Sequence, residues 1–271
     1  MKSVITSTLL FVLHLTLSFQ TYASSQCDNI ESQVFADNHC TVIETYKSAN
    51  LSESPTLAIV LHGDAPFWNP NVQYRVAQFL AKNQDNLISV GMLRPGYTDD
   101  FSSKSDGVRG ETVGDNYDDK RVNQIGSAIE ALKKHYKAAK VVVIGHSGGA
   151  AITAKLSGLY PELVNHAVVI SCPCNINAWR KDMLVRNEYE LFKGDLDISS
   201  PVELASKVSA NTKIDLIIGK ADDNTKPYLT QEYYEALKKH GKNVSLQMIE
   251  GGHNIFQTEQ AITTMLSALK P

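Results

Sequence analysis

The sequence predicts an α/β chain with a mainly parallel sheet and helices on both faces. Three observations carry that expectation. Short β-branched apolar runs recur from residue 56 onward, longer amphipathic stretches separate them, and a glycine-framed serine sits where one run gives way to a helical stretch. Continuous apolar runs of five or six residues suit parallel strands buried on both faces. Their alternation with helical periods implies crossover units.

The 271 residues carry 26 Lys+Arg against 29 Asp+Glu, a formal charge of −3, with 43% hydrophobic and 20% charged residues. These proportions suit a globular chain and not a disordered one. The near-neutral balance argues against a nucleic-acid binder, which carries a basic domain or stripe. Residues 1–23 read as a secretory signal peptide, with Lys2 at its start, an apolar core from Leu9 to Phe19, and Thr21-Tyr22-Ala23 as a cleavage site; cleavage after Ser25 is the alternative. An anchor helix that stays attached is the competing reading, but its core is short for spanning. Removing Lys2 with the peptide takes the charge from −3 to −4. Outside the N-terminus no stretch of 18 apolar residues occurs, so no stable membrane insertion is expected after cleavage. The expected location is secreted or periplasmic. Residues 24–271 are expected to form a single domain, since neither an internal repeat nor a Gly-, Ser- or Pro-rich linker interrupts them.

Export would let the four cysteines oxidise. They allow three connectivities; proximity favours Cys27–Cys40 and leaves Cys172-Pro173-Cys174 as a short-loop pair. A redox or metal site is the alternative, but no second ligand pair is spaced to complete tetrahedral zinc. Residues 27–48 are expected to supply one or two antiparallel edge strands, including Cys40 to Tyr46. The apolar runs follow at 56–61, 86–90, 140–144, 167–171, 214–218 and 244–249. Val122, Ile125, Ile129 and Leu132 recur at spacings of 3, 4 and 3, as on a helix with one buried face, and 228–240 and 254–269 behave alike. Residues 175–209, after the sixth strand, break the alternation and form either a cap over a site or a surface excursion.

Gly145-His146-Ser147-Gly148-Gly149 follows the run 140–144 directly and opens a helical stretch over 148–160. A strand-to-helix turn this tight forces the serine into strained backbone and lifts its oxygen above the strand end. Asp222 and His253 each lie just beyond a later apolar run, in Gly219-Lys220-Ala221-Asp222-Asp223-Asn224 and Gly251-Gly252-His253. With these motifs the chain resembles the α/β-hydrolase fold from about residue 40 to its end, and its acid segment is similar to that of prolyl-oligopeptidase-like serine hydrolases. The resemblance implies a triad ordered nucleophile, acid, base, hence Ser147, Asp222 and His253, with Asp222 rather than Asp223 as the acid. His253 would take the serine proton and Asp222 would fix the imidazole tautomer.

The oxyanion donors implied are the backbone N–H groups of Gly148 and of Asp64, which lies in the turn Leu61-His62-Gly63-Asp64; Ala65 is the alternative to Asp64. A carboxylate there would oppose the developing oxyanion unless it points away or is paired. Trp68, Trp179 and Phe67 are candidates to line a substrate pocket, and Arg180 to meet an anionic substrate end. His146 reads as a supporting residue beside the serine, and Arg94-Pro95-Gly96-Tyr97 as a structural turn. Neither H-E-x-x-H nor a phosphate-binding G-x-x-x-x-G-K-[ST] pattern occurs, so neither metal nor cofactor is expected.

The expectation is a hydrolase cleaving a carboxylic ester through an acyl-enzyme, its substrate a small ester or a short peptide. The prolyl-oligopeptidase-like enzymes carry an N-terminal propeller that filters peptides, for which this chain offers no room, so an ester is preferred to a peptide bond. A small serine peptidase or thioesterase, or a catalytically silent binding protein on the same fold, are the other readings.

Overall fold

The computed structural model describes residues 27, 29–110, 114 and 117–270. The expected signal peptide lies outside the described residues. The sheet has eight strands in the order β1-β2-β4-β3-β5-β6-β7-β8. They are β1 (Gln33–Ala36), β2 (His39–Lys47), β3 (Thr56–Leu61), β4 (Leu87–Met92), β5 (Lys140–His146), β6 (His166–Ile170), β7 (Lys213–Gly219) and β8 (Asn243–Ile249). β1 and β2 form a hairpin, turned at Asp37-Asn38 with both φ angles positive (47° and 59°), and β2 pairs antiparallel with β4. Every later pairing is parallel.

Helices α1 (Val72–Asn83) and α7 (Glu259–Ala268) cover one face; α2 (Asp119–His135), α3 (Gly148–Leu159) and α6 (Pro227–Lys239) cover the other. The strands show why two faces are needed. Leu57, Ile59, Val141 and Val143 join the cluster with α2, α3 and α6, while Ala58, Val60, Val142 and Ile144 join that with α1 and α7. A period of two with every residue apolar leaves no side for water. β8 departs from this reading: it is the last strand, only partly buried along its length, so one flank of its apolar run stays open.

Sequence reading did not mark α1, whose buried residues Tyr74, Ala77 and Ala81 recur at helical spacing between β3 and β4. It also began the last helix too early. Residues 254–258 form a loop in which Ile255 N–H bonds the carbonyl of His253, and α7 starts only after Thr258 caps it by accepting from Ala261 N–H. The stretch 175–209 holds α4 (Ile176–Asn187), two short 3-10 turns and α5 (Pro201–Leu204), the last begun by a Ser200–Glu203 capping box. Disulfides join Cys27 to Cys40 and Cys172 to Cys174.

The connection from β3 runs to β4 on one side, and that from β5 to β6 on the other. Their carboxyl ends therefore flank a topological switch point, where open parallel sheets form crevices.

Candidate active site

Ser147 follows β5 at this switch point with φ 54° and ψ −120°, a conformation that costs a non-glycine residue. Its neighbours explain how the strain is held. A Cβ on Gly145 would lie 2.2 Å from the Gly149 carbonyl oxygen, and one on Gly149 would lie 2.5 Å from those of Leu61 and His62. The elbow is thus packed backbone against backbone between β3 and β5.

The structure brings Ser147, His253 and Asp222 into one hydrogen-bonded chain. Ser147 Oγ is 3.0 Å from His253 Nε2, and His253 Nδ1 is 3.0 Å from Asp222 Oδ2 and 3.2 Å from Oδ1. Asp222 is buried and its carboxylate is saturated: Oδ1 accepts from the N–H groups of Asn224 (2.9 Å) and Thr225 (2.8 Å), Oδ2 from the Thr225 hydroxyl (2.8 Å). Burial pushes the Asp222 carboxyl upward, but the bonds from His253 and Thr225 outweigh it and hold the group below the usual carboxylate range. Thr225 Oγ1 also stands 3.2 Å from His253 Nδ1. Asp223, by contrast, is exposed and pairs with Arg186 at 2.9 Å.

The backbone of His253 is fixed from below. Its carbonyl accepts from Ser171 Oγ (3.1 Å) and His146 Nε2 (3.0 Å), so His146 carries its proton on Nε2. Burial and the neighbouring His253 push the His146 imidazole down to about 4, so it is neutral above that pH. It stacks on Phe256 with ring centroids 5.2 Å apart.

Across the elbow, Gly63 brings the turn after β3 so close that a Cβ there would lie 3.0 Å from Ser147 Cβ. His62 is buried and held neutral, its pKa well below normal through burial and the Arg94 charge. Its Nδ1–H donates to the Gly63 carbonyl (2.7 Å) while Nε2 accepts from Arg94 N–H (3.1 Å). The Asp64 carboxylate is paired: it accepts from Arg94 Nη1 at 3.0 Å and from the Tyr117 hydroxyl. Arg94 is 1% exposed. Its Nε and Nη2 have no acceptor among the described residues, but the guanidinium lies 5.1 Å from the Tyr97 ring centroid and 5.4 Å from that of Tyr117. Lys155, buried on α3, donates to the Tyr117 carbonyl (2.6 Å) and pairs with Asp119 (2.8 Å), which anchors Tyr117 in turn. The N–H groups of Asp64 and Gly148 meet no acceptor among the described residues and stay free to donate.

Trp68 is 62% exposed and Phe67 87% exposed on the loop after Asp64. Trp179 is buried, packed against Tyr117 and Phe192, with its indole N–H on the Asn224 carbonyl (3.1 Å). Arg180 is buried too, and donates to the carbonyls of Leu191 (2.7 Å) and Gly194 (3.4 Å) within its own insertion. Thr225, Ser171, Arg94 and Tyr117 are site residues that sequence reading did not identify. Thr225 lies inside the recognised acid segment and Arg94 inside the recognised turn, but nothing local singles out Ser171 or Tyr117. Among the described residues no group of three or more His, Cys, Asp or Glu is placed to hold a metal ion.

A profile described as the prolyl oligopeptidase family matches residues 110–269, more than half of the chain. No curated protein sequence matches it. Solved structures with a similar fold include an esterase of Pyrococcus furiosus (21% identity, 88% of each chain covered, TM-score 0.68). A proline iminopeptidase of Mycobacterium smegmatis is similar as well (14% identity, 88% of this chain and 96% of that one, TM-score 0.64). So is part of the acylaminoacyl peptidase of Pyrococcus horikoshii (14% identity, 86% of this chain but 39% of that one, TM-score 0.62).

Proposed function

The chain belongs to the prolyl oligopeptidase family and is a serine hydrolase of the α/β-hydrolase type; from that premise we propose that Ser147, His253 and Asp222 are its catalytic triad, acting on a carboxylic ester. The observation that carries this reading is the unbroken chain from Ser147 Oγ through the imidazole to Asp222, each link about 3 Å.

In the proposed reaction the Ser147 hydroxyl attacks the ester carbonyl carbon as its proton passes to His253 Nε2. Asp222 keeps the other proton on Nδ1 and stabilises the imidazolium. The carbonyl oxygen becomes an oxyanion that accepts from the N–H groups of Gly148 and Asp64. His253 then gives its proton to the leaving alcohol, which departs as the C–O bond breaks and an acyl-serine remains. Water, deprotonated by the same imidazole, releases the acid and restores the serine. Arg94 and Tyr117 neutralise the Asp64 carboxylate, which removes the objection that a negative charge beside the oxyanion would raise.

Exposed Phe67 and Trp68 are placed in this reading to receive the apolar part of the substrate. The esterase named among the structural neighbours favours the ester; peptide-bond cleavage is the second reading, favoured by the family to which the chain belongs. Two disulfides suit an oxidising compartment, so we place the protein outside the cytoplasm as one domain after a cleaved signal peptide. No helix among the described residues is long and apolar enough to cross a membrane.

A fluorophosphonate probe tests the reading. Folded protein lacking residues 1–23 should be labelled on Ser147, and a panel of acyl esters and aminoacyl amides should show turnover that Ser147→Ala abolishes. Absence of labelling with the fold intact would establish the silent binding protein instead.

A further inference from the structure

The insertion after β6 turns one face of α4 toward the segment that carries the acid. Trp179, Asp182 and Arg186 recur at spacings of three and four and so share that face. Trp179 Nε1–H donates to the Asn224 carbonyl at 3.1 Å. Arg186 holds Asp223 twice, Nη1 to the backbone carbonyl (3.0 Å) and Nη2 to the carboxylate (2.9 Å). Asp182 accepts from Lys226 Nζ and the Tyr228 hydroxyl, both at 2.8 Å. These contacts grip residues 223–228, and the N–H groups of Asn224 and Thr225 within that segment hold Asp222 Oδ1.

The contacts are unequal. The Arg186–Asp223 pair is 40% and 73% exposed, so water and salt weaken it. Trp179 is 3% exposed, and its indole bond has little competition from water. The base of α4 is anchored independently: Ile176 N–H bonds Ser200 Oγ (3.0 Å), Val202 N–H bonds the Cys174 carbonyl (3.1 Å), and Asn175 Nδ2 reaches Glu232 of α6 (2.9 Å). A helix fixed at its base and hydrogen-bonded along one face to the acid segment transmits that rigidity to the segment.

We propose that α4 splints the triad acid, with Trp179 as the principal positioning residue and Arg186 as a weaker one, acting through the 223–225 backbone on Asp222. The inference rests on the reading of Asp222 as the acid. The 175–209 insertion then serves the orientation of Asp222 and, through it, of the His253 imidazole.

A double-mutant cycle in the full chain tests it, with an activated ester as substrate. Trp179→Phe keeps an aromatic ring in the site but removes the N–H donor together with part of the buried indole; the second background separates a packing loss, equal in both, from a loss that runs through Asp222. With Asp222 present, kcat should fall about fivefold, the worth of one neutral hydrogen bond, while KM stays within about twofold. In an Asp222→Asn background the same change should cost nothing further, because the group it positions has lost its function. An equal loss in both backgrounds, a change in KM alone, or no change overturns the proposal. Arg186→Met run through the same cycle, with a loss of about twofold expected, decides the matter if Trp179→Phe does not fold. Full turnover by Asp222→Asn itself would sink the acid assignment and the splint together. A large loss in that single mutant with additive Trp179 effects would sink the splint alone.

Discussion

The carboxylate of Asp64 and the guanidinium of Arg94, 3.0 Å apart, form a partly buried ion pair beside the nucleophile elbow, the arginine enclosed and the aspartate 16% exposed. A Cβ on Gly148 would lie 2.4 Å from Asp64 Oδ1, so this charge sits directly against the residue that offers one of the two proposed oxyanion donors. Arg94→Gln should therefore lower kcat about 10²-fold, through repulsion at the oxyanion, and destabilise the fold by about 3 kcal/mol. Adding Asp64→Asn should recover much of both losses. Steady-state kinetics and urea unfolding of the single and double variants would check this; equal kcat values for all four proteins would refute it.

The two adjacent aspartates of the acid segment should differ sharply. Asp222→Asn removes the acceptor that fixes the His253 tautomer, with an expected loss of about 10³–10⁴ in kcat. Asp223→Asn touches an exposed side chain and should cost less than about threefold. The reverse order would transfer the acid role to Asp223.

Stability should fall in acid in two stages. His146 binds a proton near 6.5 when unfolded but only near 4 when folded, so the unfolded state takes up the proton first. Stability is thus complete above pH 6.5 and declines between 6.5 and 4, by up to about 3 kcal/mol from His146. Buried His62, also held well below 6.5 when folded, adds to the decline below 6.5. Asp215 and Asp222 follow: both have folded values below the unfolded 3.8, Asp215 at about 2 through its bonds to His166 and Ser245 despite burial. Their stabilisation is present above 3.8 and drains away beneath it. Thermal melts from pH 7 to 3 should show this profile, and His146→Gln should shrink the first stage, leaving the part that His62 contributes.

The elbow glycines tolerate no methyl group. Gly149→Ala would drive a Cβ to 2.5 Å from two carbonyl oxygens of β3 and its turn. A loss of about 3 kcal/mol or more is expected, with displacement of Ser147 and loss of turnover in whatever folds. Denaturant titration of this variant would measure it.

The disulfides should contribute unequally. Cys27 and Cys40 are 13 residues apart, Cys172 and Cys174 only two. Chain-entropy scaling gives about 3 kcal/mol for the longer loop and about 1.6 for the shorter. Paired Cys→Ala replacements, compared by urea midpoint, would rank them; a larger loss at 172/174 would contradict the scaling.

Much of this architecture was legible in the chain because continuous apolar runs leave parallel strands few alternatives. Ser147 was legible because glycines at 145, 148 and 149 admit one kind of turn. α1 escaped notice because Gln73, fully buried, blurs its apolar stripe, and the loop before α7 did so because Ile255 and Phe256 continue a helical spacing. What sequence could not reveal is mutual support across long separations. Arg94 lies 30 residues from Asp64, Tyr117 lies 53, and Ser171 lies 82 from His253. Such pairings exist only once the sheet is assembled.

The side chains proposed for bond cleavage all hang from the ends of β5, β7 and β8, whereas exposed Phe67 and Trp68 belong to the loop that leaves β3. In the proposed reading the triad side chains and the apolar substrate contacts thus occupy separate stretches of polypeptide, with the Asp64 N–H at the start of the second. Grafting a different five- or six-residue loop between Ala65 and Asn71 should retune which acids or alcohols are accepted, while Ser147 on the neighbouring strand β5 and the pair beyond β7 and β8 keep their alignment.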